Sequence, residues 1–281
     1  MRLARLHPEV HCNYQAHFFT RRPLLTSLVD SPEVEEWLTR RSNRWNLGRD
    51  LSPLALRAVA DLILERDAAR QGKSIVGDKS PCSTIHGQAV RDMHAVFPDA
   101  KLVYLVRDGR DVAVSERFRN LVEESRFLDR EDRKILVDLS RDPRLFADGA
   151  RSIFTDRFLR RVADGWATNV REVTAEGRRL YGTAFFVLRY EDLLARPFKE
   201  MGRLWRFLAV EHVDASLEGA IRAEIASNPD EEWQSRRGED IASFLSKGTV
   251  GNWRRLFNNK ETRLFGALAG EELRQYDYDT D

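Results

Sequence analysis

One stretch constrains this chain more than any other: residues 101–115, KLVYLVRDGRDVAVS. An apolar, β-branched run ends at Arg107, turns at Asp108-Gly109 and enters a helical pattern that carries Ser115. A strand feeding straight into a helix is the unit of an α/β sheet, whose ligands bind at the carboxyl edge of the strands. The layout puts a guanidinium at that edge and a hydroxyl in the following helix, where the N-terminus favours anions. A fork of N–H donors together with a hydroxyl suits a phosphate dianion. A plainer reading also fits: Asp108 caps the helix, Asp111 sits in its first turn, and Arg107 pairs with a neighbouring carboxylate.

Two further apolar segments, 74–76 and 184–188, read as buried strands. Helical patterns over 52–69, 83–96, 157–176 and 192–208 lie between and after them. Strands separated by helices imply parallel pairing, so the expected fold is α/β, a parallel sheet flanked by helices. Three strands make a thin sheet for 281 residues. The charged, helical stretch 117–161 is too long for a simple crossover and reads as an insertion covering the active face. There is neither a repeat nor a Pro/Gly/Ser-rich linker, so residues 1–281 are read as a single domain.

Charge excludes one class of partner. Lys plus Arg (46) and Asp plus Glu (45) nearly cancel, which argues against a dedicated nucleic-acid binder. Only Cys12 and Cys82 are present, so no disulfide framework is inferred and a reducing compartment is expected. No apolar run reaches the ~18 residues needed to span a bilayer, and the amino terminus lacks a signal-peptide core. The expectation is a cytoplasmic protein without a transmembrane segment. Its oligomeric state is not legible.

The phosphate reading gains from three other segments. Gly77-Asp78-Lys79-Ser80-Pro81 follows the first predicted strand, so Lys79 stands at the same carboxyl edge as Arg107 and offers charge to a transferring oxyanion. Its plainer reading is a turn before a helix. Arg189-Tyr190-Glu191-Asp192 ends the last strand, where Tyr190 offers its ring or hydroxyl to a base and the two acids suit a helix start. Lys247-Gly248-Thr249-Val250-Gly251-Asn252-Trp253 couples a cation to two glycines that let backbone wrap an anion.

These four segments, in this order, resemble the sulfotransferases that use 3′-phosphoadenosine 5′-phosphosulfate (PAPS). The resemblance implies a P-loop-like α/β fold and sulfuryl transfer from PAPS to a hydroxyl or amine, without a metal. In the family an Arg and a Ser eight positions apart clasp the donor's 3′-phosphate, matched by Arg107 and Ser115. A Lys-Gly-x-x-Gly-x-Trp loop closes over the same phosphate, matched by Lys247, Gly248, Gly251 and Trp253; an Arg often precedes that Lys, where this chain has Ser246. Tyr190 matches a tyrosine near the adenine. The turn around Lys79 looks most like the tyrosylprotein and glycan branches, where the lysine approaches the sulfuryl group.

One departure stands out. The family's first strand and the 5′-phosphosulfate loop after it, typically Pro-x-x-Gly-Thr-Thr, have no counterpart here. Leu3, Leu6, His7, Pro8, Glu9 and Val10 fit the end of the next helix and a His-Pro-x-Val turn beyond it, so the expectation is a chain truncated before that loop. The alternative to an enzyme is a non-catalytic remnant that binds an adenosine 3′,5′-bisphosphate-like ligand or a partner protein. Gly72-Lys73-Ser74 imitates the end of a Walker motif, but Asp67 stands where the first glycine is required, and the triplet ends a helix instead of opening one.

Transfer also needs a base for the acceptor proton. The tyrosylprotein branch has an acid at the position of Gln15, which cannot serve, and His17 is the nearest titratable substitute, ahead of Glu33 and Glu35. His7, His11, Cys12 and His17 show no recognised metal-ligand spacing. Trp166, Asn169 and the Phe18-Phe19 pair suit either an acceptor pocket or the core. A small molecule, glycan, lipid or peptide all remain possible acceptors.

Overall fold

The computed structural model describes residues 1–14, 17–19, 29, 31–40, 45–82, 85–122, 125–146, 151–210, 215–227 and 250–278. Among the described residues the strands are β1 (Val10–Tyr14), β2 (Ile75–Lys79), β3 (Leu102–Val106) and β4 (Phe185–Arg189). β1 pairs with β2 in parallel, with Tyr14 opposite Lys79, and β3 neighbours β4. The residues that follow β3 and β4 meet at Asp108 and Glu191, so these two strands also run the same way. The fold is α/β, with short parallel strands among helices. The described residues form two two-stranded sheets in place of one.

β1 was not expected as a strand. Only Val10 and His11 of its five residues are buried, so it shows no alternation, and Pro8 two residues earlier suggests a turn. A 3-10 turn (Ala4–Leu6) does precede it. What holds it extended is tertiary: parallel pairing with β2, and the Lys73 ammonium donating to the carbonyls of His7 (3.2 Å) and Val10 (3.0 Å). The false Walker lysine is thus a staple, and Gly72 supplies the positive φ (64°) that ends the helix before it.

The helices are α1 (Pro32–Thr39), α2 (Ser52–Arg70), α3 (Gly87–Val96), α4 (Gly109–Val122), α5 (Arg130–Arg141), α6 (Asp156–Tyr181), α7 (Tyr190–Ala195), α8 (Pro197–Leu208), α9 (Ala215–Ala226), α10 (Trp253–Leu256) and α11 (Asn259–Gln275). The single helix expected over 192–208 is two. Arg196 precedes Pro197 and leaves the helical region (φ −140°, ψ 57°), which starts α8 afresh. α11 opens with a reciprocal capping box between Asn258 and Glu261. The charged insertion holds the end of α4, all of α5, two 3-10 turns and the start of α6. No helix among the described residues is long and apolar enough to cross a membrane.

The described residues cluster into two compact units. The first comprises 1–105, 171–188 and 192–226, and the second 106–170, 189–191 and 227–281. In the first unit Trp205, fully buried, packs with Val10, Met201, Leu204 and Ile221. A second cluster there joins Phe18, Leu56, Ala60, Leu64 and Val96, with Phe19 packed against it. The Phe18-Phe19 pair is therefore core and not an acceptor wall. In the second unit Phe154, Phe257, Phe265 and Trp166 form a chain of ring contacts.

Candidate functional site

The turn after β3 brings its predicted residues together. Arg107 Nη1 donates to Ser115 Oγ at 3.4 Å, and the Tyr190 ring lies under the guanidinium at 4.8 Å. Arg107 is half-buried and Ser115 exposed, so fork and hydroxyl open together at the start of α4. A guanidinium fork and a hydroxyl side by side are groups able to donate to an anion.

Buried charge holds this turn in shape. Asp108 caps α4 by accepting from Arg110 N (2.9 Å), and its carboxylate also grips the Arg110 guanidinium through Nε (3.0 Å) and Nη2 (2.8 Å). The capping reading is correct, and it coexists with the Arg107–Ser115 contact. Glu191 accepts the Asp108 N–H at 2.9 Å and the Tyr278 hydroxyl at 2.8 Å. Burial first, then the Glu191 charge, pushes the Tyr278 phenol well above its ordinary value, so it stays a donor. Trp166 Nε1 donates to the Arg107 carbonyl at 3.0 Å, which makes it a support of the donor turn.

Asp111 does more than a first-turn acid. Its side chain is 1 % exposed and accepts from Gly251 N (2.7 Å) and Trp253 N (3.1 Å). Arg110 stacks over the Trp253 ring at 3.7 Å. The Arg107 turn and the glycine-tryptophan segment are thus pinned to each other. Lys247 and Gly248 lie outside the described residues, as does Gln15.

Two family models match this chain: a sulfotransferase domain over residues 91–277, and a sulfotransferase family model over residues 2–159. The chain belongs to the sulfotransferase family. Among solved structures, this sulfotransferase is similar to the sulfotransferase domain of the Synechococcus PCC 7002 olefin synthase. That match has 17% identity and a TM-score of 0.48, covering 99% of this chain and 89% of the other. It is also similar to a sulfotransferase from Alicyclobacillus acidocaldarius, with 18% identity and a TM-score of 0.42, covering 90% and 92%. No curated protein matches.

The remaining predicted residues of the sulfotransferase lie in its first unit, at the carboxyl ends of β1 and β2. The Lys79 ammonium sits over the Tyr14 ring at 4.8 Å. His17 follows β1 with a positive φ of 57°, and its backbone N–H donates to Ser80 Oγ at 2.9 Å. Ser80 in turn donates to Asp78 at 2.6 Å. Lys79 and His17 thus share one corner, with the His17 side chain buried. Among the described residues no group of three or more His, Cys, Asp or Glu is placed to hold a metal ion.

Sequence reasoning missed Tyr278, read Asp111 and Glu191 only as helix-start acids, and placed Trp166 in an acceptor pocket or the core. All four reach partners 59 to 142 positions away, a separation no local pattern reveals.

Proposed function

We propose that the protein transfers a sulfuryl group from PAPS to a hydroxyl or amine acceptor, with Arg107 and Ser115 binding the 3′-phosphate of the donor. The observation that carries the reading is the Arg107–Ser115 contact at a strand-to-helix junction, in a chain of this family. The guanidinium supplies charge and a planar fork, and the hydroxyl a further donor, which fits a phosphate dianion. Tyr190 offers its second face to the adenine, and Lys247 and Gly248 complete the phosphate contacts.

In the transfer, the bond between sulfur and the bridging phosphate oxygen breaks as one forms to the acceptor atom. The protein's task is positioning and charge neutralisation, as in phosphoryl transfer. Lys79 neutralises the leaving oxygen, and His17 takes the acceptor's proton.

Supplying PAPS with a panel of phenol, sugar, lipid and tyrosyl-peptide acceptors tests this directly. Labelled sulfate should reach one class, and Arg107→Ala and Lys79→Ala should each abolish the transfer. The second reading is a protein that binds the nucleotide without transferring from it. Nucleotide binding without transfer to any acceptor would select that reading.

A further inference from the structure

Helix α5, in the insertion between Ser115 and Trp166, sorts its charges by side. Inward, Ile135 and Leu139 are buried, and Asp132 pairs at 2.7 Å with Arg117, a guanidinium with no exposure. Outward, Arg130, Arg133, Lys134 and Arg141 fall on one face around the half-exposed Val137. No ion pair or side-chain hydrogen bond engages any of these four among the described residues. Some surface arginines elsewhere are paired, Arg57 with Asp61 and Asp99, Arg91 with Glu176, and Arg196 with Asp192. Like charges one helical turn apart oppose helix formation, so this stripe stands at a cost that an arriving anion relieves.

Arg130, Arg133 and Lys134 line an open groove of about 770 Å³ together with Leu128 and Val137; its two carboxylates are Asp138, neutralised by the lining Arg151, and Asp129, which caps α5. The groove is mechanically joined to the Arg107 turn. Arg117 stands two residues after Ser115 on α4, and it grips both Asp132 of α5 and the Ile153 carbonyl.

We propose that this face of α5 docks a polyanionic carbohydrate chain and so makes the acceptor a glycan bearing carboxylate or sulfate groups. The acceptor role rests on the sulfotransferase reading above. Charge complementarity selects the occupant, since guanidinium forks suit both groups. The groove lining has neither the aromatic wall nor the open strand edge by which proteins take up peptides. Its apolar lining is limited to Leu128 and Val137, fewer than an interfacial membrane helix presents, and the neighbouring Phe127 carries the Arg126 guanidinium over its ring.

Fluorescein-labelled heparin, followed by anisotropy across a salt series, is the probe. The full chain should bind it, and the Arg130→Ala, Arg133→Ala, Lys134→Ala triple variant should bind about tenfold or more weakly, with a shallower salt dependence. Arg130→Lys with Arg133→Lys should keep the binding, which separates charge from folding damage. Equal heparin binding by the wild type and the triple variant overturns the proposal, as does preference for poly-glutamate or anionic vesicles over heparin. Adenosine 3′,5′-bisphosphate, titrated into both proteins, should bind them alike. Its failure to bind either overturns the sulfotransferase reading, a result separate from anything heparin shows.

Discussion

The two corners that carry the candidate chemistry are built by different means. In the second unit, the Arg107 turn is backed by a buried ion pair, Asp108 with Arg110, by a buried carboxylate, Asp111, and by Glu191 with its tyrosine donor. In the first unit, the Lys79 corner leans on a cation–ring contact with Tyr14, itself 63 % exposed, and on short hydrogen bonds among His17, Ser80 and Asp78. A clamp for a fixed dianion gains from donors that cannot relax, because their arrangement costs nothing at the moment of binding. A lysine serving a moving group needs reach more than rigidity, and its flexible stem provides that.

Substitutions at matched positions can break this contrast. Asp108→Ala leaves the Arg110 guanidinium, 2 % exposed, without its carboxylate, and should cost about 3–5 kcal/mol in denaturant unfolding. Asp78→Ala in the other corner should cost less than about 1.5 kcal/mol. Equal losses would mean that the two corners are equally rigid.

Glycines make the next comparison. A Cβ on Gly109 would come within 2.5 Å of the Trp166 ring, whereas one on Gly77 meets nothing closer than 4.0 Å. Gly109→Ala should therefore destabilise by about 1–3 kcal/mol, and Gly77→Ala by well under that.

Alkaline titration probes one buried phenol in each unit. Burial pushes Tyr181 from 10.0 up to about 12, and raises Tyr278 further still, with Glu191 adding to the effect. Above pH 10.0 the unfolded chain releases these protons while the folded chain keeps them, so stability falls as pH rises. Tyr278→Phe should flatten that decline more than Tyr181→Phe, read from denaturation midpoints at successive pH values. The smallest effect belongs to Lys79→Ala, whose stability should shift by no more than about 0.5 kcal/mol while transfer is lost.

The fold was legible where chemistry is local. An apolar run before Arg107 and a helical pattern after it give β3 and α4 directly, and the eight-residue spacing of Arg107 and Ser115 survives as a contact. β1 was not legible, because its conformation is imposed by β2 and by Lys73 from across the chain. The break at Pro197 could have been read from the residue preference before proline. The supports of the Arg107 turn could not: Asp111 looks like any helix-start acid until Gly251 and Trp253 arrive. What the sequence displays are the exposed donors of the turn, and what it conceals are the buried partners that hold them.

Recognition of a 3′-phosphate by the Arg107 turn is tested by calorimetric titration of adenosine 3′,5′-bisphosphate and of adenosine 5′-monophosphate into the wild type and Arg107→Ala. The bisphosphate should bind the wild type and lose roughly ten- to a hundredfold in affinity on substitution, the worth of a charged hydrogen-bond pair. Binding of the monophosphate should not change. Bisphosphate binding that is indifferent to Arg107, or absent altogether, would contradict that recognition.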